Sequence, residues 1–131
     1  MHWYERNLRQ GERFGTSHLP FLHFPALYRN LDPEHCLGAW SKNQLVGVAF
    51  IHPRETHISV GIIATDPEHA GSGIAKRLLA KACELADSLA LPLRLVSSLL
   101  NLDSFSLYSR HGFQPVAIYQ DIQIHIPDEG L

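Results

Sequence analysis

The segment 57-HISVGIIATDPEHAGSGIAKRLLAKACELADSL-89 changes its hydrophobic period partway along. Ile58 to Ala64 is an almost unbroken apolar run, which predicts a buried strand. Asp66-Pro67 marks a turn, and Ala70-Gly71-Ser72-Gly73 is a loop of small residues. From Gly73 to about Ala90 the pattern is helical. Ile74, Leu78, Ala82, Leu85, Ala86 and Leu89 recur at spacings of three and four, while Lys76, Arg77, Lys81, Glu84 and Asp87 fall between them.

A strand, a glycine loop and a helix in that order have a physical consequence. The first turn of a helix holds N–H groups without an internal partner, and its dipole favours negative charge. Glycines let a ligand come close to that backbone, so the loop can cradle a phosphate or pyrophosphate. Lys76 and Arg77 place cations where a bare first turn is already positive, which favours a bound anion over a plain turn. The alternative is a strand–helix connection whose glycines serve tight packing only. Two known phosphate fingerprints do not fit. Gly, four residues, then Gly-Lys-Ser/Thr is absent, and the third small residue of the dinucleotide pattern is replaced by Lys76.

The chain of 131 residues is read as one domain, 1–131, with enough length for a single core. Its 45% apolar and 18% charged residues belong to a folded protein, and a formal net charge of −2 offers no nucleic-acid surface. No run approaches the roughly 20 apolar residues of a membrane span, and the N-terminus MHWYERNLRQ lacks an apolar signal core. A cytoplasmic protein with no membrane and no nucleic-acid partner is therefore expected. Cys36 and Cys83 make no disulfide framework, and the nine histidines show no metal-ligand spacing, so no metal is expected.

Residues 1–35 are the least legible. Trp3, Tyr4, Phe14, Phe21, Phe24 and Tyr28 follow no period, Pro20 and Pro25 interrupt any long helix, and only a short helix near Pro25 to Asn30 is predicted. Leu37–Trp40, the polar turn Ser41-Lys42-Asn43-Gln44 and Leu45–Ile51 predict a β-hairpin. Pro53 to Thr56 turns the chain into the Ile58–Ala64 strand, giving three consecutive antiparallel strands. Pro92 closes the long helix, and Leu93 to Ser97 predicts a strand beside the earlier one. A shorter helix is expected to start at an Asp103 or Ser104 cap and to end at Gly112. A last β segment is expected from Phe113, and isoleucines at 118, 122, 124 and 126 predict a strand over Ile118–Ile126 with one buried face. The class is α/β (or α+β), with a mixed, mostly antiparallel central sheet flanked by helices.

Two linked motifs give this chain a resemblance to the GNAT superfamily of N-acetyltransferases, over roughly Leu37 to Ile126, so that 36–126 is the expected core and 1–35 a shortened, poorly matching N-terminal region. One is the family's Arg/Gln-x-x-Gly-x-Gly/Ala loop, here Ala70-Gly71-Ser72-Gly73-Ile74-Ala75. The other is Asn-x-x-Ala/Ser-x-x-Leu-Tyr-x-x-x-Gly-Phe, here Asn101, Ser104, Leu107, Tyr108, Gly112 and Phe113. The resemblance implies acetyl-CoA as co-substrate and no metal. Backbone N–H groups from Gly71 to Ala75, with Lys76 beside them, are then expected to hold the pyrophosphate. The edge of Ile63, Ala64 and Thr65 is expected to pair with the pantetheine arm, with the Ile63 N–H on the thioester carbonyl. Asn101 is expected to bond that arm or a nearby water, in a motif that includes Ser104, and Tyr108 to protonate the departing thiolate.

Three departures stand out. Ala70 replaces the usual Arg or Gln, with Lys76 or His69 as candidate substitutes. Ser59 stands where some relatives carry a basic glutamate, and serine is no base. His57, on the same face, is the first candidate for that role, ahead of Glu55 and His52. The short N-terminal region leaves the acceptor pocket open or completed by a second subunit, hence an expected homodimer. The implied activity is direct acetyl transfer to a primary amine of a small molecule or peptide. The alternative is a non-catalytic module of the same fold that binds coenzyme A or a protein partner.

Overall fold

The computed structural model describes residues 23–99 and 101–120. The chain begins there with helix α1, Phe24–Leu31, where Pro25 in the first turn supplies a preset φ at a position whose N–H is orphaned anyway. Asp32 ends the helix with its N–H on the Tyr28 carbonyl, and a 3-10 turn, Pro33–His35, leads into the sheet. The predicted short helix is thus present. The aromatics at 3, 4, 14 and 21 lie outside the described residues.

Strands β1 (Cys36–Ser41) and β2 (Gln44–Pro53) form the predicted hairpin. Lys42 and Asn43 both have positive φ, 46° and 65°, the two-residue turn whose twist matches that of its strands. Strand β3, Ile58–Thr65, runs antiparallel to β2, and β4, Leu93–Leu95, runs parallel to β3. The order is β1-β2-β3-β4, a mixed and mostly antiparallel sheet with helices around it, as expected.

Helix α2, Ile74–Leu89, lies across one face of this sheet. Its buried stripe is Leu78, Leu79, Ala82 and Ala86, of which Ala82 and Ala86 pack with Ile51, Ile58 and Val60. Leu79 and Ala82 are wholly buried, and small alanines let the helix approach the strands closely. The helical period predicted most of this stripe but not Leu79, and Leu89, in the last turn, is 48% exposed. Cys83 is half-buried, and burial, helped by the Asp87 charge, pushes its thiol pKa up, so it makes a poor nucleophile.

Three boundaries differ from the sequence reading. β4 stops at Leu95 rather than Ser97, because the chain turns away from β3 and leaves Val96 83% exposed. Helix α3, Leu102–Arg110, is capped by Asn101, whose Oδ1 accepts from the Ser104 N–H at 3.2 Å, so neither Asp103 nor Ser104 is the cap. Residues 113–120 contain no strand, and Ile118 and Tyr119 are both exposed. The rest of the expected last strand, 121–126, lies outside the described residues.

Candidate active site

The loop between β3 and α2 is shaped by its own backbone. The Asp66 carboxylate accepts from the Glu68 N–H and starts a 3-10 turn, Pro67–His69, which closes with the Ala70 N–H on the Pro67 carbonyl. Gly71 and Gly73 then take φ of 79° and 82°, values that cost a residue with a Cβ, and no atom beyond their chain neighbours lies within 4 Å of where a Cβ would be. The approach to both is open. Gly73 caps α2 with no side-chain hydrogen bond, and the first intrahelical bond runs from the Arg77 N–H to the Gly73 carbonyl. The N–H groups of Ile74, Ala75 and Lys76 are left without an intrahelical acceptor, and no acidic residue stands in that first turn. Ala70 is exposed and contributes no side-chain donor. On the outer side of the loop a cavity of about 480 Å³ opens between β1 and α2, with Trp40, Ser72, Arg77 and Lys81 in its lining.

β3 has two unlike edges. Along β2 it is paired from Ile58 to Thr65, with one bulge where Gly61 and Ile62 oppose Phe50. Along β4 it is paired only through Ile58–Leu93, Ser59–Arg94 and Val60–Leu95. From Gly61 to Thr65 that edge has no strand partner among the described residues, and Gly61 and Ala64 are exposed although the strand is interior to the sheet. An unpaired edge of this kind accepts an extended ligand as an added strand. Because β3 and β4 are parallel, the loop that follows β3 and helix α3 that follows β4 leave the same end of the sheet, the usual place for a ligand crevice.

On α3, Asn101 is the cap and Ser104 lies one turn before Tyr108. Burial pushes the Tyr108 phenol pKa up, opposed by a hydrogen bond with Ser104, so the hydroxyl keeps its proton at neutral pH. The Tyr108 ring packs against Phe113, with centroids 5.8 Å apart. Gly112 takes a positive φ of 84°, which lets the Phe113 N–H return to the Tyr108 carbonyl.

The face of β3 opposite α2 is polar. His57, at its start, has both ring nitrogens occupied, by the Thr56 and Ser59 hydroxyls at 3.1 Å each. Opposite Ser59 on β2 stands His52, whose Nδ1 is 2.5 Å from Asp32 Oδ2. Arg54 donates to both Asp32 oxygens, at 3.1 and 3.2 Å. That guanidinium first, then the His52 bond, holds the Asp32 carboxyl below its ordinary range against the opposing effect of burial. Sequence reasoning missed Asp32, since nothing local ties it to a histidine twenty positions on. It also passed over Gly61, although a glycine inside an apolar strand signals a close approach.

Among the described residues no helix is long and apolar enough to cross a membrane, and no three His, Cys, Asp or Glu side chains group as metal ligands. A comparison with curated protein sequences found no significant match. Solved structures share the fold. A ribosomal-protein-alanine N-acetyltransferase from Brucella melitensis biovar Abortus 2308 is 24% identical, with 69% of each chain covered and a TM-score of 0.57. A point mutant of the BH1408 protein from Bacillus halodurans is 12% identical over 95% of this chain and 88% of its own, with a TM-score of 0.74. The aminoglycoside acetyltransferase AAC(6')-Iy, in complex with a bisubstrate analogue, CoA-S-monomethyl-acetylneamine, is 16% identical over 84% of this chain and 93% of its own, with a TM-score of 0.60. The sequence model of the Acetyltransferase (GNAT) family matches residues 2–113, and the chain belongs to that family.

Proposed function

We propose that the protein transfers the acetyl group of acetyl-CoA directly to a primary amine of a small molecule or peptide. What supports this reading is that a helix start with no side-chain cap, an unpaired strand edge and the helix that bears a protonated phenol all follow from the same end of the parallel β3–β4 pair. The open backbone at Gly71 and Gly73 fits a pyrophosphate on the N–H groups from Gly71 to Lys76. The Ile63, Ala64 and Thr65 edge suits the amide-rich pantetheine arm, and the Ile63 N–H is assigned to the thioester carbonyl. Asn101 spends its Oδ1 on the helix cap, which leaves its Nδ2 free to donate to that arm. When bound, acetyl-CoA supplies an activated acyl group on a thiolate leaving group. Tyr108, oriented by Ser104, gives that sulfur its proton. Family membership and the CoA-containing complex of AAC(6')-Iy support the co-substrate, and the names of the neighbours support an amine acceptor. The proposal keeps a cytoplasmic location and a second copy of the chain as a wall of the acceptor pocket.

The exposed Ala70, which withdraws one phosphate-side contact, favours a second reading, a coenzyme A-binding module without turnover. Thiol release from acetyl-CoA, measured with a panel of amines, separates the two. Under the enzyme reading Tyr108→Phe lowers kcat by roughly 10²–10⁴-fold and leaves acetyl-CoA affinity nearly unchanged. An unchanged rate removes Tyr108 from the mechanism, and binding without any thiol release selects the module.

A further inference from the structure

We infer that His52, oriented by Asp32, takes the proton from the attacking amine. This rests on the acetyl-transfer reading above and assigns the step that reading leaves without a residue.

His52 is the one buried polar side chain among the described residues, 6% exposed. A buried imidazole is costly unless its nitrogens find partners. Nδ1 has one, in Asp32. Because Arg54 keeps Asp32 ionised, the carboxylate can only accept, so the nitrogen facing it carries the hydrogen. In the neutral ring Nε2 is therefore a bare acceptor. Nε2 is buried and has no hydrogen-bond partner among the described residues, a destabilising state if nothing binds there.

Gly61 makes space for Nε2. A Cβ at that position would lie 2.9 Å from Nε2 and 3.3 Å from the Phe50 carbonyl oxygen, so a side chain there would displace the ring. Gly61 also lies in the bulge, is itself exposed, and begins the edge that β4 abandons. A strand glycine weakens its strand unless something must come close, and here an imidazole does. His52 Nε2 lies over Gly61, two residues or about 7 Å of strand from Ile63, whereas His57 Nε2 lies at Ser59, four residues or about 13 Å away. His57 also has both nitrogens engaged. The base expected at His57 is thus better placed at His52. The Tyr28 ring packs against the imidazole, tilted by 57° with centroids 4.8 Å apart.

The step balances. The amine nitrogen bonds to the acetyl carbon, the carbon–sulfur bond breaks, and the proton lost by nitrogen goes to His52 Nε2, directly or through one water. Asp32 stabilises the resulting imidazolium, and the sulfur takes its proton from Tyr108. Asp32 is a positioning residue, since it acts through the ring.

The test uses the full chain. Nitrogen-15 histidine NMR at alkaline pH, in the absence of ligand, is expected to show His52 with its hydrogen on Nδ1. A hydrogen on Nε2 overturns the inference whatever the acceptor. In thiol-release assays with acetyl-CoA and spermidine, neamine or an alanine-first hexapeptide, His52→Gln should lose about 100-fold or more in kcat with its acetyl-CoA Kd unchanged. His52→Ala should be partly rescued by added imidazole, an effect that a packing role would not produce. A His52→Gln rate equal to wild type overturns the inference. Wild-type protein that binds acetyl-CoA and acetylates none of the probes overturns the acetyl-transfer reading and this inference with it, and the NMR result separates that failure from a wrong tautomer.

Discussion

The two faces of β3, Ile58–Thr65, one turned to α2 and the other to α1, are held by different physics. Toward α2, Ile58 and Val60 are buried against Ala82 and Ala86, with no polar group among them. Toward α1 lie His57, hydrogen-bonded to Ser59, and the space over Gly61, beside the His52–Asp32–Arg54 cluster, which is held by its own directed bonds. One face is held by volume and the other by geometry. Apolar burial is concentrated under α2, and the hydrogen-bonded polar cluster lies on the other side.

Substitutions on each face should therefore fail differently. Leu79→Ala, which empties a fully buried site under α2, is expected to cost about 2–5 kcal/mol in denaturant unfolding. A cost below 1 kcal/mol would mean that this face is not the packed one. Asp32→Ala is expected to cost about 1–3 kcal/mol, because the buried His52 Nδ1 loses its acceptor. The same carboxyl gives a pH signature. Its folded pKa lies below its ordinary 3.8, so its contribution is complete above that value and is lost as pH falls through the lowered folded value. Acid unfolding of wild type should be steeper there than that of Asp32→Ala, and identical acid limbs would place the stabilising charge elsewhere. The smallest effect is expected far from both faces. Ala90 ends α2 at a φ of 52°, which glycine adopts without a Cβ penalty, so Ala90→Gly should stabilise by about 0.5–1 kcal/mol in thermal unfolding. Destabilisation would contradict the left-handed cap.

What was legible in the sequence was what local signals encode. Lys42-Asn43 between two apolar runs fixed the hairpin, and the switch from the Ile58–Ala64 run to the 3.6-residue period of α2 located the loop. The α3 helix was found, but its cap was misplaced by two or three residues, because Asn101, Asp103 and Ser104 are all good capping residues and only the bond to the Ser104 N–H decides among them. The end of β4 depends on where it diverges from β3, a tertiary fact that Val96-Ser97 does not encode. The Asp32–His52–Arg54 cluster was hidden for the same reason. Its members are joined by the packing of α1 on β2 and not by any spacing along the chain.

The acetyl-transfer reading requires that the Gly71–Lys76 backbone hold the coenzyme A pyrophosphate. Calorimetric titration of the full chain with acetyl-CoA, and separately with coenzyme A, tests it directly, with Gly73→Val, checked for folding by circular dichroism, as the control. Micromolar binding of both ligands to wild type and none to the folded variant is the expected result. No binding to wild type up to millimolar ligand, or equal binding to both proteins, would contradict it.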